Sequence, residues 1–586
     1  MSDDDKQFKS FKDLLKSTGG GPLKEEEAAA KQKKKGWVLE TGDEVRGSGD
    51  FDDFEGSSRE RIDARPPGFG VMTHGPAPYR DEESEEMELL ASFRIRTVFP
   101  PKVLEEVGVL PGDPSAADFE GREDLRDETI FTVDGADAKD YDDAIQIRAD
   151  GDGFEVSVHI ADVAHYVVPG TQLDDEALAR GTSVYVADQV VPMLPEELSN
   201  GLCSLVEGRP RLAYSVRMTF DAQGERTAAR VHKSVIHSKR RCTYKAVQEL
   251  LDGEDTEDAR ALAFLEPDLR LFEKWTQLQQ RKREQRGAFN MDSSEKKFQF
   301  DDEHEVSAIV DAPRYFSQKL IEETALAANQ AVGDLFRKRG LPTIYRVHPE
   351  KDPEEIASVA KMLLDHGLRV PDKERLTGRD ISRLIRAARR KSNADALIQR
   401  IMGLIERAVY EVKDHEDVAQ HFGLAREAYL HFTSPIRRYP DLLVHRWLWA
   451  IESRGEEAEV ELKAEALVQD MNDIAAHCSV RADLAEMAER AIFDLKVCQY
   501  MEPHIGETLD AMVRRVSIAG IEVFLTDYNV SAFLPRRTIG GRGEVKGPTL
   551  RVHVGRAVKS FTEGYPIRVK LTDVDFLRLQ VLLDLP

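Results

Sequence analysis

Between Asp134 and Asp143 the chain reads Asp-Gly-Ala-Asp-Ala-Lys-Asp-Tyr-Asp-Asp, and four of its acids, Asp134, Asp140, Asp142 and Asp143, fall at offsets 0, 6, 8 and 9. Carboxylates held together repel, and solvent, protonation or a bound cation must relieve them. A preceding β-rich run and Gly135 predict a loop that folds back so that separated carboxylates converge. Two readings stand at this point: a solvated acidic loop, or a cation site built from oxygen donors. Oxygen-only ligands select a hard ion, magnesium first and manganese second, over zinc. Two such ions about 4 Å apart activate a water and stabilise the leaving oxygen in phosphodiester cleavage. The spacing does not fit a calcium EF-hand.

What surrounds the cluster narrows the class. The 586 residues suffice for several domains, and 41% hydrophobic with 32% charged residues describes a largely globular chain. No run approaches the ~18 uninterrupted apolar residues of a membrane span. The opening Met-Ser-Asp-Asp-Asp lacks a secretory apolar stretch. Cys203, Cys242, Cys478 and Cys498 lie far apart without a Cys-x-x-Cys pair, which argues against a zinc site or disulfide framework and fits a cytoplasmic protein. The net charge of −25 is unevenly spread. Residues 506–586 hold 12 Lys and Arg against 9 Asp and Glu, and Arg383, Arg386, Arg389, Arg390 and Lys391 form a basic run.

The expected organisation is an α+β catalytic unit followed by a small all-β barrel. Residues 1–85 are polar and read as a disordered tail. Within them Phe8, Phe11, Leu14 and Leu15 could line a short helix, either a fraying segment or a docking peptide for a protein partner, and 66–70 reads as linker. Residues 86–505 read as one mixed domain, with strands at Glu128–Val133 and Glu155–Ile160 bracketing the cluster. Helices are expected from about 315, including one from Pro353 to near Gly367 and one or two over 461–501. From Gly506 the chain returns to strands at Ala511–Val516, Glu522–Leu525, Ser531–Leu534 and Ile567–Val574, a pattern for a small barrel.

A second motif lies almost 300 residues beyond the cluster, in the stretch from His421 to Arg446 that contains Tyr429, Thr433-Ser434-Pro435-Ile436-Arg437-Arg438-Tyr439-Pro440-Asp441 and His445. Ser434-Pro435 is expected to open a helix, setting Arg437 and Arg438 beside its positive end, where an anion is favoured. Arginine offers a planar fork for phosphate oxygens; structural ion pairs are the alternative use of such residues.

This stretch, the aspartate cluster and Tyr185 to Leu205, with Pro192-Met-Leu-Pro-Glu-Glu-Leu-Ser199, resemble the ribonuclease II / ribonuclease R family of exoribonucleases over about residues 90–586. The Arg-Arg-Tyr-Pro-Asp wording is closer to ribonuclease R. The resemblance implies an RNB-like fold with a mixed sheet and helices around an RNA channel. It also implies metal-dependent, processive 3′→5′ hydrolysis of single-stranded RNA to nucleoside 5′-monophosphates by a monomer. On it, Asp134, Asp140, Asp142 and Asp143 are the metal and catalytic acids, Arg437 contacts the reacting phosphate, and Tyr185 holds the terminal nucleotide. Tyr244 and Glu322 sense a ribose 2′-hydroxyl, and Glu489 and Arg490 form a polar pair near the product end.

Two departures from the family pattern stand out. Where a phenylalanine base clamp is expected, the sequence has Met291, with Phe289 nearby. A methionine lacks the ring face that contributes roughly 1–3 kcal/mol per stacked base, so a looser clamp is expected. Residues 1–85 show no recognisable cold-shock domain. The C-terminal region resembles an S1-like OB-fold, with Phe524, Phe533, Arg514, Arg515, Arg536 and Arg537 expected to hold RNA.

Overall fold

Alternating apolar residues in the first third of the chain build strands that close on themselves. The computed structural model describes residues 84–586, apart from 188, 289–294, 303, 374–375, 392–393, 414–419 and 422. The expectations for the N-terminal tail lie outside the described residues, save that Ser84 caps and Glu85 opens helix α1 (Glu85–Ser92). Met87 and Leu90 bury the inner face of α1, while Glu86 reaches Lys496 at 2.7 Å.

Five strands form the first closed barrel in the order β1-β2-β3-β6-β7: β1 (Glu123–Asp134), β2 (Asp143–Asp150), β3 (Gly153–Ala161), β6 (Pro210–Phe220) and β7 (Arg226–Thr243). Antiparallel pairing carries it round, and a parallel β1–β7 pair closes it, with Asp134 opposite Thr243. Ile145, Val156, Val158, Ile160 and Val216 fill it at 0% exposure. Between β3 and β6 lie helix α2 (Gln172–Arg180) and a hairpin of β4 (Val184–Val186) and β5 (Gln189–Val191). The two strands expected around the cluster are present within β1 and β3. The cluster itself ends by opening β2, which the sequence reading did not separate from the loop.

Helices begin well before residue 315. Thr243 ends β7 and caps α3 (Tyr244–Asp252), its Oγ accepting from the Ala246 N–H at 3.1 Å. Next comes α4 (Glu266–Arg286), which buries Leu269, Phe272, Trp275, Gln279 and Arg283 at helical spacing. After the β8 (Lys296–Phe300) and β9 (Val306–Asp311) hairpin, α5 (Phe316–Arg339) packs on the barrel. Gly333 in α5 lets the Ala428 backbone approach, since a Cβ there would lie 2.0 Å from the Ala428 carbonyl.

Strand β10 (Thr343–Val347) pairs with β11 (Val409–Lys413). Between them α6 (Pro353–Asp365), α7 (Gly378–Ala388) and α8 (Ala394–Met402) share a small apolar core that includes Leu363, Ile381, Leu384, Leu397 and Ile401. The expected helix from Pro353 is α6, capped by the Asp352 carboxylate. After the short pair β12 (Gln420–His421) and β13 (Arg426–Glu427) come α9 (Tyr439–Arg454) and α10 (Glu465–Met501). The 461–501 stretch is thus mainly one long helix.

The last strands form a second closed five-stranded barrel, β14-β15-β16-β21-β20. It comprises β14 (Thr508–Val516), β15 (Gly520–Leu525), β16 (Val530–Pro535), β20 (Pro566–Asp575) and β21 (Gln580–Asp584). The first strand pairs with the second and fourth, and the third runs parallel to the fifth, as in an OB-fold. A three-stranded sheet of β17 (Arg542–Lys546), β18 (Thr549–Val554) and β19 (Ala557–Thr562) is inserted before β20. It was not foreseen, nor was β21. The barrel core takes in Val497, Cys498 and Met501 of α10, so the long helix continues into the second barrel's packing.

Candidate active site

Asp134 ends β1, Asp140 and Asp142 lie in the connection, and Asp143 opens β2 opposite Ile160 of β3. Strands β1 and β2 and the connection between them therefore gather the four carboxylates at one end of the first barrel. The connection is braced from the segment after the β4–β5 hairpin: Ser204 accepts from the Tyr141 N–H at 2.9 Å and donates to the Lys139 carbonyl at 2.9 Å. Asp142 is 5% exposed.

Burial raises the pKa of all four acids. Asp134 is pushed further by Asp143 and Asp140, whereas Arg437 pulls Asp140, Asp142 and Asp143 back down. The Asp134 Oδ2 atom is buried with no hydrogen-bond partner. Crowded, desolvated oxygen donors with one acceptor left over fit a hard divalent cation in chemical type. Among the described residues no three His, Cys, Asp or Glu are arranged to hold a metal ion outright, so the set converges without forming a closed cage.

The expected helix start at Ser434-Pro435 is not there. Residues 435–437 make a turn, Arg438 bridges to Thr182, and α9 begins at Tyr439 with Pro440 in its first turn. The cause is Asp441. Its carboxylate accepts from the Ser434 N–H at 2.8 Å and from both forks of Arg438 at 2.9 and 2.7 Å, which holds the turn outside the helix. The two arginines thus divide their work. Arg438 is committed to Asp441. Arg437 donates to Ser434 Oγ at 3.0 Å and keeps its Nε 3.7 Å from Asp142 Oδ2, with its side chain 39% exposed. The Ile436 N–H donates to Asp142 Oδ1 at 2.9 Å. Both sequence motifs meet at this contact.

Tyr185 also reaches the cluster. Its hydroxyl donates to Asp140 Oδ2 at 3.3 Å, and its backbone N–H donates to Glu489 Oε1 at 2.7 Å. Glu489 thereby joins the same edge from α10, and Arg490 lies exposed beside it. Tyr244 opens α3 half-buried, directly after Thr243, the strand partner of Asp134; burial raises its phenol, and Asp134 and Asp143 raise it further. Glu322 on α5 is ion-paired with Arg283 of α4, a partner 39 residues away that no local motif marks. Phe289 and Met291 lie outside the described residues.

The expected RNA-holding residues of the second barrel are arranged unequally. Phe524 is half-exposed, with the Arg514 guanidinium 4.2 Å and the Lys296 ammonium 4.9 Å from its ring centre. Phe533 packs over Gly520, where a Cβ would lie 2.8 Å from its ring. Arg515 is paired with Glu522 at 2.8 Å, Arg536 donates to the Gly541 carbonyl at 3.1 Å, and Arg537 is exposed. Lys296 was missed because it lies some 230 residues from Phe524 in the chain.

The sequence pattern of the RNB domain matches residues 122–454, from the first barrel through α9. The chain belongs to the RNB family. Curated RNB relatives include Ribonuclease R of Thermotoga maritima, 38% identical over 493 residues, covering 82% of this chain and 67% of that protein. Ribonuclease R of Escherichia coli is 34% identical, covering 75% of this chain and 54% of that protein. The chain thus spans between about half and two thirds of these RNB proteins. Among solved structures, Mycoplasma genitalium RNase R in complex with ribose methylated single-stranded RNA superposes with a TM-score of 0.75 at 24% identity, covering 86% of this chain and 77% of that one. The RNB fold is also shared by yeast Ssd1, described as a pseudonuclease, with a TM-score of 0.61 at 18% identity, covering 81% of this chain and 59% of that one. Among the described residues no helix is long and apolar enough to cross a membrane.

Proposed function

We propose that this chain is a processive 3′→5′ exoribonuclease that hydrolyses single-stranded RNA to nucleoside 5′-monophosphates. The observation that carries the reading is the junction of the two motifs at Asp142, which accepts from the Ile436 N–H while Arg437 stands beside it. A fold shared with a pseudonuclease does not choose between hydrolysis and silent RNA binding. The presence of all four acids together with Arg437 favours hydrolysis.

Asp134, Asp140, Asp142 and Asp143 would hold the divalent ions, magnesium first and manganese second. Bound there, such ions lower the pKa of a water and neutralise a leaving oxygen. The chain's own residues do the rest. The Arg437 fork meets the phosphoryl oxygens as their charge grows, an electrostatic role that needs no reorganisation because Ser434 already orients it. Tyr185 closes the edge over Asp140 and places its ring against the terminal nucleotide, and Glu489 fixes that strand through its backbone. Tyr244 and Glu322 meet the incoming ribose. Phe524, flanked by Arg514, offers a face on which bases stack.

The working form we take as a cytoplasmic monomer; four widely separated buried thiols fit a reducing compartment. We keep the division into 1–85, 86–505 and 506–586, with the last join running through the end of α10. The test is 5′-labelled single-stranded RNA incubated with magnesium. Progressive shortening to a small limit product by wild type and none by Asp142→Asn supports the exonuclease. Internal cuts, or binding without cleavage by wild type, reject it.

A further inference from the structure

A cleft of about 520 Å³ lies where the start of α7 meets the end of α4 and β13. A neighbouring cleft of about 430 Å³ shares Arg286, Ala425, Arg426 and Glu427 with it, so the two form one groove. None of its lining residues belongs to the aspartate centre. Arg226 lines it at the first residue of β7, whereas Thr243, opposite Asp134, is the last. The groove and the aspartates therefore lie at opposite ends of one strand.

The charges in this groove do not balance. Each of its four carboxylates already has a basic partner: Glu225 with Lys282, Asp334 with Arg226, Glu427 with Arg337 at 3.2 Å, and Asp380 with Lys373 at 3.0 Å. Four arginines exceed these pairs: Arg379 is turned to the Arg286 carbonyl and Arg383 lies 3.9 Å from Asp380, which leaves Arg286 and Arg426. Arg286 has Nε and Nη2 buried without hydrogen-bond partners, and Arg426 has Nε buried likewise. The nearby buried Glu323 lies 3.0 Å from Arg283, which is also paired with Glu322, and its single charge is felt by Arg283, Arg286 and Arg426 alike. Burial lowers both guanidinium pKa values and outweighs the opposing charge of Glu323, and the proximity of Arg286 contributes to moving Arg426 to about 10.

With Glu323 shared among three guanidiniums, the buried donors of Arg286 and Arg426 stay unused, a cost that a further anion would relieve. The junction is shaped to present them. Gly287, at φ +102°, lets α7 lie against the end of α4, because a Cβ there would meet Arg379 at 2.3 Å. The Arg379 Nε donates to the Arg286 carbonyl at 3.1 Å, which ties the two helices together. The N-terminus of α7 is not the attraction, since the Asp380 carboxylate already caps it.

We propose that Arg286 and Arg426 form a second phosphate-binding site, separate from the aspartate centre. The chemistry recognised is a phosphate oxyanion. It has two sources, the backbone of a bound RNA and a free nucleoside monophosphate, and the groove has room for a nucleotide. The site stands independently of the hydrolytic reading, because its test involves no cleavage.

Thermal unfolding of the full chain is followed in EDTA with rising inorganic phosphate. Wild type and Arg437→Met gain Tm with phosphate, whereas Arg286→Gln and Arg426→Gln lose that gain. Adenosine 5′-monophosphate and a 12-nucleotide RNA then separate the sources, again in EDTA. Backbone recognition lowers RNA affinity in Arg426→Gln and flattens the log K against log salt slope by about 0.7. Nucleotide recognition abolishes only the stabilisation by the monophosphate. The proposal fails if wild type shows no phosphate-dependent gain, if both Gln variants keep it, or if Arg437→Met alone removes it.

Discussion

Two closed five-stranded barrels sit in this one chain, and they use charge in opposite ways. In the first, acids crowd the strand ends, and Asp142 is 5% exposed and hydrogen-bonded to a distant backbone N–H. In the second, Arg514, Arg515 and Arg537 project from exposed positions, and Arg514 lies over a ring face. Burial makes the acids hold raised pKa values and leaves little freedom in where they stand. On the proposed function, exposure would let the arginines follow a polymer whose sequence and position vary, and the buried acids would serve chemistry while the exposed arginines hold a chain.

This contrast breaks down if changes in either barrel have the same kind of effect. The largest expected effect is Asp142→Asn, which should remove hydrolysis to background, a loss of on the order of 10³-fold or more given what single electrostatic groups contribute. Filter binding to single-stranded RNA should be unchanged. Arg437→Met should lower kcat by about 10²–10³-fold with a smaller change in KM, since its fork is engaged most strongly in the transition state; a loss confined to KM would move Arg437 to simple substrate holding. Phe524→Ala should weaken RNA affinity by about 5- to 150-fold, the equivalent of roughly 1–3 kcal/mol of stacking, while single-turnover cleavage of a saturating substrate keeps its rate. If Phe524→Ala slows the chemical step, the two barrels are not divided as argued.

The smallest expected effect concerns neither barrel's charged surface. Burial alone would raise the pKa of Glu86, but the hydrogen bond and charge of Lys496, together with a hydrogen bond from Gln499, outweigh it and hold the acid below its ordinary 4.5. Such a group stabilises the folded chain fully above its unfolded pKa and loses that contribution as pH falls through the folded value. Stability of wild type in chemical denaturation should therefore fall on the acid side of pH 4.5, and Glu86→Gln should make this part of the pH profile shallower. An unchanged acid limb would show that the pair on α1 and α10 does not couple to folding.

Much of the catalytic barrel was legible because its signals are local. The runs at Glu128–Val133 and Glu155–Ile160 lie inside real strands, and the aspartates between them converge. What stayed hidden depends on distant partners. Pro435 suggested a helix start, but the Asp441 carboxylate takes Ser434 and Arg438 and shifts the start to Tyr439. The α4 helix is amphipathic in plain view, yet it buries Gln279 and Arg283 among its apolar residues, which blurs the stripe. Sheet β17–β19 escaped notice because its strands are short and only a few residues, such as Leu550 and Val552, are buried.

The hydrogen bond from Ile436 to Asp142 spans 294 residues of sequence. Synthesis at about 5–20 residues per second puts roughly 15–60 s between the appearance of its two ends. During that interval the ribosome holds a chain whose acids are made but whose arginine turn does not yet exist. The two halves of the centre therefore meet only after the Arg437 turn has been synthesised.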